Sequence, residues 1–117
     1  MTTERDVALG RFAALFDDGH PWEAHEVLEA VWRVEGGRAL KGLIQLAAVQ
    51  VHLDAGRLGP ARRVLTRALA HLEGAPDGWG PLDRVGVRAD AARLAAALDA
   101  GATVGSLRMG RHLRLDR

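Results

Sequence analysis

A short segment over residues 20–32 holds the densest group of side chains in this sequence that could do chemistry. It contains two of the three Trp residues of the chain, together with His and several Glu. Charged side chains are rarely buried unless they are paired, so a helix that carries this many beside an apolar stripe is expected to use them. The candidate residues of this segment are Trp22, Glu23, His25, Glu26, Glu29 and Trp32.

One flank of the helix predicted over residues 21–34 collects three of these side chains. His25, Glu29 and Trp32 stand at positions i, i+4 and i+7, which share one side of a helix. Glu26 and Glu23 point progressively away from that flank. A His next to a Glu suits proton transfer, since the carboxylate can orient the imidazole that acts as general base.

A second polar stripe lies on the next predicted helix, over residues 39–55, which is apolar nearly all round. Lys41, Gln45 and His52 fall within about 40° of one another around its axis. The loop at residues 36–37 is short, and helices joined by a short loop usually pack antiparallel. The resulting register makes four pairs: Trp32 with Lys41, Glu29 with Gln45, His25 with Ala48, and Trp22 with His52.

Three interpretations of the two stripes stay open. In the first, which we take as the leading one, they enclose a pocket that binds or acts on a small polar ligand. In the second, they form a satisfied polar network that only fixes the register of the helix pair. In the third, they hold a divalent metal, but the His spacing does not match His-Glu-x-x-His and the second His is remote. We therefore expect no metal and no cofactor, and leave open whether the chain is an enzyme.

Composition restricts the class of protein. At 117 residues the chain is long enough for one domain with an ordinary core, and its net charge of +1 does not favour a nucleic-acid partner. The absence of Cys excludes disulfides, thiolate metal sites and Cys nucleophiles. The first residues lack the apolar core of a signal peptide, and no apolar run has membrane-spanning length. We expect a cytoplasmic protein without a membrane partner.

The pattern of apolar residues predicts an all-α fold, a compact bundle of five to six helices built on antiparallel helix hairpins. We treat residues 1–117 as one domain with a motif core at about 12–72, and the tail 102–117 as either a docked last helix or an extended arm. The predicted helices cover residues 3–18, 21–34, 39–55, a fourth that begins at Pro60, and 87–100.

Two features outside the stripes bear on partners. Trp79 stands in the Gly- and Pro-rich loop 74–81, where it could either fold back over the core or lie in an interface. The outer face of the fourth helix is predicted to carry Arg62, Arg63, Arg67 and His71. These features support an alternative function, a helical protein-protein interaction module in which the polar cluster is purely structural. The partner in that case could be a second copy of the chain, in a homodimer.

Two sequence blocks carry a family resemblance. The first, Phe16-Asp-Asp-Gly-His-Pro-Trp-Glu-Ala-His-Glu-Val-Leu-Glu-Ala-Val-Trp32, resembles the opening motif of the bacterial and archaeal family known as domain of unknown function 309. The second, Leu40-Lys-Gly-Leu-Ile-Gln-Leu-Ala-Ala-Val-Gln-Val-His52, is similar to the second motif of that family. The resemblance extends over about residues 12–72.

The resemblance implies a small all-helical fold in which the two motif helices pack together. It brings no established activity, because the family is uncharacterised. This sequence departs from the family pattern at Arg57, where an Asn commonly follows the glycine that ends the third helix, and at Pro60. The resemblance marks as signature positions Glu23, His25, Glu26, Glu29, Trp32, Gln45 and His52.

Overall fold

The computed structural model describes residues 3–101 and 107–114 of the chain. Within these residues the fold is all-α, as predicted, and the only extended pairing is an isolated bridge between Leu82 and Leu113. None of the described helices is long and apolar enough to cross a membrane. The helices are α1 Glu4–Asp17, α2 Pro21–Glu35, α3 Arg38–Asp54, α4 Leu58–Glu73 and α5 Arg84–Asp99, followed by a 3₁₀ turn at Gly110–His112.

Local sequence signals set the first helix boundaries. The Thr3 hydroxyl accepts a hydrogen bond from the backbone N–H of Asp6 at 3.1 Å, and the Asp6 carboxylate accepts one from the Thr3 N–H at 3.4 Å. This reciprocal capping box satisfies N–H groups that the first turn of α1 leaves unpaired. Helix α2 begins at Pro21, a position where the missing N–H of proline costs nothing.

The turn between α2 and α3 requires glycine. Gly36 has φ +68° and Gly37 has φ +105°, backbone conformations that L side chains rarely adopt. Only these two residues separate the end of α2 from the start of α3. The turn therefore brings the two motif helices into contact, while the antiparallel hairpin arrangement of the whole bundle stays a prediction.

Helix α3 lies at the centre of the packing, since it contacts α2 on one side and α4 on the other. Its core face buries Leu43, Leu46 and Val49 completely. At Gly42 the backbones come so close that an added Cβ would collide with the side chain of Leu72 on α4. The two remaining helices pack on the outer members of this group, α1 on α2 and α5 on α4.

Trp79 belongs to this core. Only 2% of its surface is exposed, and its indole N–H donates a 2.7 Å hydrogen bond to the carbonyl of Ala75. Of the two interpretations of this residue, the structure selects the one in which the loop folds back on its own chain. An interface built around Trp79 is excluded, because its side chain is not on the surface.

The tail is neither a long last helix nor a free arm where the structure describes it. Residues 107–114 dock across the bundle and contact α1 and α5. The carboxylate of Asp17, at the end of α1, accepts hydrogen bonds from the backbone N–H groups of Met109 and Gly110, both at 2.6 Å. The rest of the tail, residues 102–106 and 115–117, lies outside the described residues.

A buried carboxylate on α5 holds the other side of this segment. Asp90 is 5% exposed and accepts hydrogen bonds from Arg111 and His112, each at 2.6 Å, with Arg93 as a further ion-pair partner. Burial, and then the nearby Arg111 guanidinium, lower the pKa of His112, so the neutral ring is favoured and can donate Nε2–H to Asp90. We refer to Asp17, Asp90 and residues 107–114 together as the C-terminal clasp.

Candidate functional site

The first turns of α2 present a stacked pair of rings. The indole of Trp22 lies parallel to the imidazole of His25, with ring centroids 5.1 Å apart and an interplanar angle of 5°. Their i, i+3 spacing makes them neighbours on the helix surface. Trp22 is 56% exposed, whereas the side chain of His25 is only 17% exposed. The indole thus shields the imidazole while much of its own surface stays open to solvent.

One turn further along α2, Glu29 approaches the same imidazole. Its Oε2 lies 3.3 Å from Nδ1 of His25, in the i, i+4 relation that the sequence predicts. Nδ1 is shielded from solvent, yet its contact with the carboxylate does not have the geometry of a hydrogen bond. The carboxylate of Glu29 is therefore close enough to influence the orientation of the His25 ring. Nδ1 of that ring nevertheless keeps an unused hydrogen-bonding position.

The donor to Glu29 comes from its own helix. Nη2 of Arg33 lies 2.5 Å from Oε1 of Glu29, again at i, i+4. The predicted helix register placed Glu29 opposite Gln45 and did not include Arg33. The spacing of Glu29 and Arg33 was a sufficient signal, since oppositely charged residues four apart commonly pair on a helix surface. Arg33 is 71% exposed, so this pair stabilises α2 only weakly.

A cation–π contact connects α2 to α3. Nζ of Lys41, the only Lys in the chain, lies 4.5 Å from the ring centroid of Trp32. This is the pair that the predicted helix register placed together. Such contacts contribute about 0.5–1 kcal/mol at exposed sites. Trp32 also packs against the core, so its ring both anchors α2 and contacts the Lys41 ammonium of α3.

Gln45 has its hydrogen-bonding partner on α4. Its Oε1 lies 2.8 Å from Nδ1 of His71, and the same nitrogen lies 3.0 Å from the carbonyl of Arg67. Both partners are acceptors, so Nδ1 carries the proton. The prediction that His71 lies on the outer face of α4 is wrong, because the residue is half-buried against α3. No hydrogen bond joins Gln45 to His25 or Glu29 in the described part of the chain.

The remaining candidates are dispersed. Nδ1 of His52 accepts a 3.1 Å hydrogen bond from Nε of Arg57, the residue that departs from the family pattern. Glu23 is exposed, with its carboxylate 3.8 Å from Nδ1 of His20, and Glu26 is exposed as well. Among the described residues, no group of three or more His, Asp or Glu side chains is placed to hold a metal ion.

The geometry divides the nine candidates into three groups. The first can perform recognition or proton transfer, because an oriented imidazole lies beside an exposed indole; it consists of Trp22, His25 and Glu29. The second bridges α2 and α3 and consists of Trp32 and Lys41. The members of the third group take no part in the first two: each either bonds to a residue outside them or is exposed. This group consists of Glu23, Glu26, Gln45 and His52.

The two sequence blocks are recognised together by a family comparison. Residues 9–64 match the family described as Domain of unknown function (DUF309), which confirms the resemblance to that family. The match spans every candidate residue from Trp22 to His52. Comparison with curated proteins and comparison with solved structures each gave no match.

Proposed function

We propose that this protein binds, or acts on, a small polar ligand between α2 and α3, at a site centred on His25 and Glu29. The observation that carries the proposal is the incomplete pairing of the His25 ring: within the described residues its shielded Nδ1 makes no hydrogen bond, and none is formed by Nε2. Polar groups that serve structure alone are nearly always hydrogen-bonded when buried. An oriented ring with spare hydrogen-bonding capacity is suited to a ligand.

Each side chain has a separate role in this proposal. Glu29, held by Arg33, orients the imidazole from the Nδ1 side. The other ring nitrogen, Nε2, makes no hydrogen bond within the described chain, and we assign it to the ligand. The exposed indole of Trp22 offers a flat apolar surface beside that nitrogen. The ligand class is a small molecule with a planar part and a group that exchanges a hydrogen bond or a proton with imidazole.

The first test combines a ligand screen with a shape-conserving variant. Small polar metabolites would be screened by ligand-observed NMR, and each hit measured against Glu29→Gln. We expect affinity to fall at least tenfold, about 1.4 kcal/mol, because the amide no longer orients the imidazole as a carboxylate does. Glu26→Gln, an exposed position on the same helix, is the matched control and should bind as the wild type does.

Two results would contradict the ligand site. One is that hits bind Glu29→Gln and His25→Ala with unchanged affinity while circular dichroism shows intact helices. The other is that no hit from the screen changes the fluorescence of Trp22.

The interaction module is the second candidate, and exposed apolar side chains on α2 favour it. Val34 is 87% exposed and Trp22 is 56% exposed, and exposed Trp often marks contact with a partner. Under this function, Trp22→Ala would weaken self-association in light scattering, whereas Glu29→Gln would leave it unchanged. The same pair of variants therefore separates the two functions.

A further inference from the structure

Over most of its length, helix α3 is open to solvent along a single strip. From residue 39 to residue 50 every residue is buried except Lys41, Gln45 and Ala48. Their i, i+4, i+7 spacing places them on one side of the helix. Both neighbouring helices border this side, because Lys41 contacts Trp32 of α2 and Gln45 hydrogen-bonds to α4. We call these three residues the α3 strip.

The amide of Gln45 is held in one orientation on this strip. Its Oε1 accepts the Nδ1–H of His71, and the carbonyl of Arg67 keeps the proton on that nitrogen. The Nε2 group of the amide makes no hydrogen bond to the described residues. Unlike Nδ1 of His25, it is not enclosed by the protein. The strip therefore offers two N–H donors that a molecule from solvent can reach.

Lys41 adds a positive charge one turn away. Its Nζ lies 4.5 Å from the ring centroid of Trp32, and no carboxylate of the described residues forms an ion pair with it. Glu29, on the α2 flank that borders the strip, is paired with Arg33 instead. A cation–π contact attracts the ammonium but leaves its N–H groups without an acceptor. The charge beside Gln45 is therefore positive, and no described side chain balances it.

We propose that Lys41 and Gln45 bind the carboxylate of the small polar ligand, with one oxygen accepting from the ammonium and the other from the amide. Side chains at i and i+4 are close enough on a helix to share such a group. A carboxylate is an acceptor only, so it matches two sets of donors, and its hydrogen bond to an ammonium is charge-assisted. A phosphate is a poorer match, because it carries about two negative charges and three acceptor oxygens.

The position of this pair narrows the class of ligand. The inference rests on the proposed function, since it assigns a second polar group of the same ligand. His25 stands seven residues before Trp32 on α2, which is about 10 Å along the helix axis. Because Lys41 contacts Trp32, the ligand must extend over roughly this distance. The ligand class is therefore a small carboxylic acid whose planar, proton-exchanging group lies several bonds from the carboxylate.

The test uses sodium benzoate as the probe, which supplies a carboxylate and has no further polar group for His25. The readout is the side-chain amide signals of Gln45 in ¹H–¹⁵N NMR. We expect a saturable shift that benzamide, the uncharged analogue of the same shape, and sodium chloride do not produce at the same concentration.

Two variants complete the test. Lys41→Met keeps an unbranched side chain over Trp32 but removes the charge, so the dissociation constant for benzoate should rise about fivefold or more. Arg63→Gln, which removes one positive charge from an exposed position on α4, is the matched control and should bind as the wild type does.

Three outcomes would overturn the carboxylate site: an equal shift with benzamide, unchanged benzoate affinity in a folded Lys41→Met variant, or tighter binding of inorganic phosphate than of benzoate. Failure of the proposed function is recognised separately, because benzoate does not need His25 and should bind His25→Ala normally. Conversely, ligands from the metabolite screen that lose affinity in His25→Ala but keep it in Lys41→Met would reject the carboxylate site alone.

Discussion

The α2 face and the C-terminal clasp use the same kinds of residue, carboxylates beside His and Arg, with opposite results. In the clasp, Asp90 is nearly inaccessible and receives hydrogen bonds from Arg111 and His112. On α2, the side chain of Glu29 is 30% exposed and the neighbouring Nδ1 of His25 has no hydrogen bond in the part of the chain that the structure describes. The clasp is a closed network, whereas the α2 face is an open one.

This difference shows how structural and available polar groups can be distinguished. A buried carboxylate that is fully paired holds chain segments together, and removal of one partner leaves an unpaired charge in the core. A half-exposed pair adds little stability, so its residues are free to serve a ligand. The comparison predicts that clasp variants change stability, while α2 variants change binding.

The largest effect is expected from Asp90→Ala. It leaves the half-exposed Arg111 and the ring N–H of His112 without their common acceptor, and we expect the free energy of unfolding to fall by about 1–3 kcal/mol. Urea denaturation followed by circular dichroism measures this. Asp99→Ala, which removes an exposed carboxylate paired with Arg62 on the same helix, is the matched control and should cost less than about 1 kcal/mol. Equal losses in the two variants would remove the distinction between closed and open networks.

A smaller effect is expected from pH. Because burial and Arg111 lower the pKa of His112 in the folded protein, the unfolded chain binds a proton more readily at this position. The contribution of the neutral His112 ring to stability is complete above about pH 6.5, the pKa of histidine in the unfolded chain. It is lost as the pH falls below that value. Between pH 8 and pH 5, the free energy of unfolding should vary less with pH for His112→Gln than for the wild type. The same pH dependence in both proteins would show that the clasp does not depend on a neutral ring.

The smallest effect on stability is expected from Glu29→Gln. The carboxylate is partly exposed and pairs with the exposed side chain of Arg33, so the free energy of unfolding should change by less than about 0.5 kcal/mol. Thermal denaturation at matched salt concentration checks this. A loss comparable to that of Asp90→Ala would assign Glu29 to the framework of the fold and weaken its role toward a ligand.

Most of the fold could be predicted from local signals. Apolar periodicity and glycine turns placed α2 and α3 within one residue of their observed ends. Helix starts were less accurate for α4, which has no side-chain cap, and for α5, whose Asp83 cap was not used in the prediction. Helix α4 begins at Leu58, two residues before Pro60, and α5 begins at Arg84, where Asp83 accepts a hydrogen bond from the N–H of Val85.

The site was harder to predict because α3 has two neighbours. Its apolar surface continues nearly all round, so sequence alone did not decide which polar side chains face α2 and which face α4. Lys41 lies over Trp32 as predicted, but Gln45 bonds to His71 on α4. For the tail, a docked helix and an extended arm were both left open. The bonds that dock it were not predicted, since those of Asp17 reach residues more than 90 positions later and no local pattern records such pairs.

That separation has a consequence for the order in which the chain folds. Helices α1 to α5 each pack on the helix next to them in sequence, and such contacts can form while the polypeptide is still being made. The bonds from Asp17 to Met109 and Gly110 close a segment of 92–93 residues, for which chain entropy alone costs about 4 kcal/mol. The clasp is therefore expected to close last, on a bundle whose helices have already assembled.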